Sequence, residues 1–80
     1  MTPEEILLVV NEVFREVFAN PAITVNAKTT ANDLAEWDSL NHTTLIAAIE
    51  KRFAIRFSLK EIVRFQNVGD LCALVATKLK

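Results

Sequence analysis

Residues 36–45 read Glu36-Trp37-Asp38-Ser39-Leu40-Asn41-His42-Thr43-Thr44-Leu45, and the reading of this stretch decides the architecture. Asp38 and Ser39 are both residue types that cap helices, and the apolar set that follows (Leu45, Ile46, Ile49, Phe53) keeps the spacing of one helical face. The spacing predicts a helix over about 39–53 with a polar opening turn. Upstream, from Ala22 to Trp37, no period persists. Asn, Thr and Asp are frequent there, and Ile23, Val25 and Leu34 stand as isolated apolar anchors, so a long loop pinned to the core runs into this helix.

The flanking segments are helical as well. Thr2-Pro3-Glu4-Glu5 combines a capping threonine, a proline at the first helical position and a glutamate three residues after the cap. Apolar residues recur from Ile6 to Phe18 until Asn20-Pro21 stops the run, which predicts a first helix over about 3–19. Ser58-Leu59-Lys60-Glu61 is a second capping box and opens roughly two turns through Arg64. Asn67, with Asp70 three residues on, opens a last helix whose inward residues are expected to be Val68, Leu71, Cys72, Val75 and Leu79. Only Arg52-Phe-Ala-Ile-Arg-Phe57 is ambiguous, and it is too short to pair as a strand alone. The expected fold class is all-α: four helices, a long first loop and a short third helix, in a single domain over 1–80.

Eighty residues, 51% of them hydrophobic, give a core near the lower size limit for folding without staples. The single cysteine, Cys72, rules out an intramolecular disulfide, and with no signal-like N-terminus the expected compartment is the cytoplasm. The apolar run Ile6 to Val10, like every other in the sequence, is far short of the ~20 residues of a membrane span. The net charge of -1 hides a dipole: residues 1–40 carry seven carboxylates against two cations, and residues 41–80 carry seven cations against three carboxylates. Arg52, Arg56, Lys60 and Arg64 form a basic series, but the overall balance is acidic and no recognition helix accompanies it, so no nucleic-acid partner is expected.

On residue type alone, Asp38 or Ser39 satisfies the free amides of the first helical turn, an interaction worth about 1 kcal/mol. A hydrolase would enlist Asp38, Ser39 and His42, but nothing places the carboxylate behind the imidazole, and no glycine-flanked elbow surrounds the serine. A lone histidine without cysteine or carboxylate ligands at suitable spacing makes no metal site.

The order of a long loop, Asp38-Ser39-Leu40 at a helix start, LIAAIEKRF, a short helix and then NVGDL resembles the acyl carrier proteins and the related peptidyl carrier domains over nearly the whole chain. The resemblance implies an acyl-carrier-like four-helix bundle, non-catalytic, with a phosphopantetheine arm on Ser39 that is flanked by Asp38, Leu40 and His42. It also implies the partners: a phosphopantetheinyl transferase that installs the arm, and acyl-loading and acyl-transfer enzymes that use its thiol to hold thioesters. A monomer is expected. In this reading the opening residues of the second helix stay wet, Leu40 turns back to anchor the site to the bundle, Trp37 packs over the bundle edge and Cys72 is a buried small hydrophobe.

The second helix departs from the acidic one usual in carriers of general fatty acid synthesis. Between Ser39 and Phe53 its ionised residues are Glu50, Lys51 and Arg52. A dedicated lipid, polyketide or secondary-metabolite pathway is therefore favoured. The alternatives are a peptidyl or aminoacyl carrier of the same fold, and an unmodified helical interaction domain in which Ser39 has only a structural role.

Overall fold

Each helix begins at the cap that the sequence marks. The structure, a computed structural model, describes residues 1–79 and contains α1 (Pro3–Val17), α2 (Ser39–Phe53), α3 (Leu59–Arg64) and α4 (Val68–Lys78), with a 3-10 turn at Ala31–Asp33. Thr2 and Glu5 form a reciprocal capping box at α1, and Ser58 and Glu61 form another at α3. Asn67 caps α4 by accepting from the Asp70 amide at 2.8 Å. The ambiguous stretch after Arg52 contains no strand. Ala54 takes a left-handed conformation (φ 56°) that ends α2, and the Ile55 amide then bonds the Glu50 carbonyl at 3.0 Å.

α1 stops two residues earlier than expected. Ala19 also turns left-handed (φ 52°), so the Asn20 amide reaches back to the Arg15 carbonyl and closes the helix before Pro21 has to.

The core is one cluster. Ile6, Val10, Val13 and Phe14 of α1 meet Leu45, Ile46, Ile49 and Phe53 of α2 and Val68, Leu71 and Val75 of α4, with α1 packed against both other long helices. α3 contributes no fully buried residue, although Ile62 leans on the cluster. It is tied down at its rim, where Lys78 pairs with Glu61 at 2.8 Å and Glu50 accepts from the Phe57 amide at 2.8 Å. Leu79, expected inward, lies past the last helical residue and is 37% exposed. Cys72 is half-buried, and burial pushes its thiol up to about 11.

The long loop is held by polar contacts as well as by its anchors Ile23 and Val25. Asn11, on α1, is a buried polar residue; its carboxamide accepts from the Val25 amide at 2.7 Å and donates to the Val25 carbonyl at 3.1 Å. Farther along, the Thr29 carbonyl accepts from the Val68 amide and the Ala27 carbonyl from the Gly69 amide, both at 2.9 Å. Those two amides open α4 and have no partner within their own helix, so the loop caps α4 with its backbone.

Candidate functional site

The junction of loop and α2 is built around Asp38. Its side chain accepts from the Asn41 amide at 2.8 Å, and its carbonyl accepts from the His42 amide at the same distance. Asp38 is therefore the cap, and Ser39 is the first helical residue, exposed, its hydroxyl not drawn into the helix start.

The residues on either side of Ser39 are fastened. Asn41 donates through its side-chain amide to the Glu36 carbonyl at 2.8 Å, and the Glu36 carboxylate accepts from Asn20 at 2.9 Å. That contact holds the Glu36 carboxyl below its usual range. Trp37 is not at the bundle edge, as expected, but inside it. Only 5% of it is exposed, and its ring meets Phe14 edge to face at 5.2 Å. A large apolar ring on a loop beside a helical bundle gains more by filling the core than by covering its rim.

The Trp37 indole Nε1–H donates to His42 Nδ1 at 3.0 Å, with the two ring planes within 15° of parallel and their centroids 6.1 Å apart. Phe65, between α3 and α4, lies 5.2 Å from the imidazole and 6.4 Å from the indole. His42 is consequently half-buried instead of wet, and burial lowers its proton affinity below the ordinary histidine value. Asn41 is half-buried for the same reason: both side chains bond back to the loop.

Leu40 does not anchor the site. It is 80% exposed. At about 100° per residue, its position is about 180° around the helix from Ile49, which is fully buried, so inward packing of Ile49 turns Leu40 to solvent. Asp38, Ser39 and His42 are neighbours without forming a relay. No hydrogen bond joins the Asp38 carboxylate to the imidazole: the carboxylate accepts from the Asn41 amide, and His42 Nδ1 accepts from Trp37, which leaves the imidazole proton on Nε2. Among the described residues no group of three His, Cys, Asp or Glu side chains could hold a metal ion, and no helix is long and apolar enough to cross a membrane.

Asn11 and the Trp37–His42 contact went unnoticed in the sequence. A polar residue beside the buried positions Val10 and Phe14 was the available signal for Asn11.

The bundle thus presents an exposed serine at the first position of α2, at the end of a long loop pinned to the core. Residues 9–75 match the family described as phosphopantetheine attachment site. Acyl carrier proteins of Acidothermus cellulolyticus and of an Exiguobacterium species are each 29% identical to the chain; the first alignment covers 95% of this chain and 90% of the relative, the second 99% and 100%. The solution NMR structure of a holo acyl carrier protein from Geobacter metallireducens superimposes with a TM-score of 0.86 at 42% identity, covering 91% of this chain and 84% of that one. The chain belongs to the acyl carrier protein family, whose members are non-catalytic carriers with covalent phosphopantetheine. Family membership brings with it a phosphopantetheinyl transferase and acyl-handling enzymes as partners.

Proposed function

We propose that residues 1–80 form a single carrier domain that bears its phosphopantetheine on Ser39 and passes acyl thioesters between the enzymes of a dedicated lipid, polyketide or secondary-metabolite pathway. The observation that carries the first part is the division of labour at α2: Asp38 caps, and Ser39 is left exposed at the first helical position. A phosphodiester suits this place. The Ser39 and Leu40 amides have no carbonyl partners within the helix, and α2, 15 residues long, directs its positive end there. When bound, the group supplies a thiol for thioester formation; the chain's own residues hold its point of attachment in the open. Neither Asp38 nor His42 is hydrogen-bonded to the Ser39 hydroxyl, so in this reading the base that takes its proton comes from the transferase.

Intact mass after incubation with coenzyme A and a broad-specificity phosphopantetheinyl transferase tests the assignment. The wild-type protein is expected to gain one phosphopantetheine and Ser39→Ala none. Because Ser39 is not the cap, its stability should stay within about 0.5 kcal/mol of wild type. An adduct on Ser39→Ala would move the site, and no adduct on the wild type would favour an interaction domain.

The dedicated pathway is supported by the surface of α2. Its exposed residues are Ser39, Leu40, Thr43, Thr44, Ala47, Lys51 and Arg52, and its one carboxylate, Glu50, is half-buried against the Phe57 amide. A partner adapted to acidic carriers finds no negative charge on this face. Thr43→Glu with Thr44→Glu should therefore speed loading by a transferase with a basic docking surface, and the gain should shrink as salt is raised. Equal rates at low salt, in a double variant shown to be folded and primed, would place discrimination elsewhere. Asn41 is unsuitable for this test because its side-chain amide holds the Glu36 carbonyl.

A further inference from the structure

We infer that Trp37 and His42 are a positioning pair that fixes the backbone around Ser39, and that they do so only while His42 is neutral. The inference rests on Ser39 as the attachment residue. Trp37 precedes Ser39 by two positions and His42 follows it by three, so the Nε1–H···Nδ1 bond of 3.0 Å closes a short loop of chain across the start of α2. Neither end of that bond is loose. The indole is wedged against Phe14, itself fully buried, and Phe65 lies against both rings from the segment between α3 and α4. The rigidity of the core thereby reaches an exposed serine through one hydrogen bond, with the Asn41–Glu36 contact as a second tie across the same junction.

The bond has a defined polarity. Indole nitrogen only donates, so His42 must accept at Nδ1, and an imidazolium has no acceptor left. Protonation sets donor against donor and opens the contact. The imidazole lies at the N–H edge of the indole and not over its face, so no cation–π attraction replaces the bond once it opens. The ionisable groups on the surrounding segments are otherwise engaged or exposed: Glu36 binds Asn20, Asp38 the Asn41 amide and Asp70 the Gln66 amide, while Arg64 faces solvent. Burial is the cause that lowers the proton affinity of His42, so the neutral form persists to a pH below the ordinary histidine value of about 6.5.

Two measurements test the pair. In the unprimed protein, NMR is expected to show the Trp37 indole proton moving with the same midpoint as the His42 ring, below pH about 6.5. An indole resonance indifferent to the His42 titration would overturn the inference. In priming, followed by intact mass, His42→Phe keeps an aromatic ring between Trp37 and Phe65 but removes the acceptor. It is expected to slow kcat/KM at pH 7.5 by about fivefold, the factor that one ordinary hydrogen bond commands. Wild type should lose rate toward the low rate of the variant as His42 is protonated, and the variant should be flat over the same range once the transferase's own profile on a carrier lacking this histidine is divided out. His42→Gln, whose side-chain oxygen can accept from the indole, should recover part of the rate without the pH dependence. Equal rates for wild type and His42→Phe would overturn the positioning role. Wild-type protein that takes no arm, or takes it away from Ser39, would instead refute the attachment assignment, with the NMR result still standing by itself.

Discussion

Asn11→Leu is expected to destabilise the fold by about 2–6 kcal/mol, since it strands both backbone groups of Val25, each at about 1–3 kcal/mol. Leucine keeps the branching of asparagine but is bulkier, so it leaves no cavity, and any crowding adds to the loss. The bonds lost are the pair at 2.7 and 3.1 Å that join α1 to the loop inside a dry environment, where neither Val25 group can turn to water. For a domain this small, with total stability toward the low end of about 5–15 kcal/mol, such a loss is a large fraction of the whole. Urea titration monitored by the fluorescence of Trp37 reads it directly, because the indole sits in the same core. A midpoint shift worth less than about 1 kcal/mol would show that Ile23 and the α4 contacts hold the loop without Asn11.

Gly69→Ala should also destabilise, against the ordinary preference of helices for alanine. The helix would gain up to about 1 kcal/mol from the substitution in an unencumbered interior, and less in a first turn. A β-carbon on Gly69, however, would lie 2.8 Å from the Ala27 carbonyl oxygen and 3.2 Å from the Ala27 β-carbon. The oxygen belongs to backbone and is the acceptor for the Gly69 amide, so relief requires the loop to shift and that bond to stretch. Overpacking of this kind costs about 1–3 kcal/mol, which exceeds the propensity gain. In a domain of this size the net loss should lower the melting temperature by several degrees, about 4–8 °C per kcal/mol. A melting temperature at or above wild type would mean that the loop yields freely at Ala27.

The helices were legible because their signals are local. Thr2 with Glu5, Ser58 with Glu61, and Asn67 each announce a helix within four residues, and the buried faces of α1, α2 and α4 follow the expected spacing. Asp38 and Ser39 could not be separated as caps by type. The backbone decides, leaving Asp38 extended and Ser39 helical. Leu40 faces outward, against what the resemblance implies, because the angular arithmetic of the helix sets it opposite the buried Ile49. The remaining omissions are contacts that cross from loop to helix. Trp37–His42 and Asn11–Val25 join segments whose relative placement exists only after the bundle has closed, so no period or cap encodes them. The acyl cargo was not legible either, because the groups that choose it lie on other proteins.

Asn11 has a second effect, on registration. A helix spends its own peptide groups internally and cannot pair with a neighbouring strand, yet the Asn11 carboxamide presents a donor and an acceptor side by side, like a single peptide unit turned outward from α1. Toward it the loop alternates: Ile23 and Val25 are buried while Thr24 and Asn26 are exposed. One rung is enough to index such a segment, because slipping by one residue would exchange the apolar side chains for the polar ones. The connection out of α1 is thus indexed at Val25 by one side chain, before its backbone reaches α4 at Ala27 and Thr29.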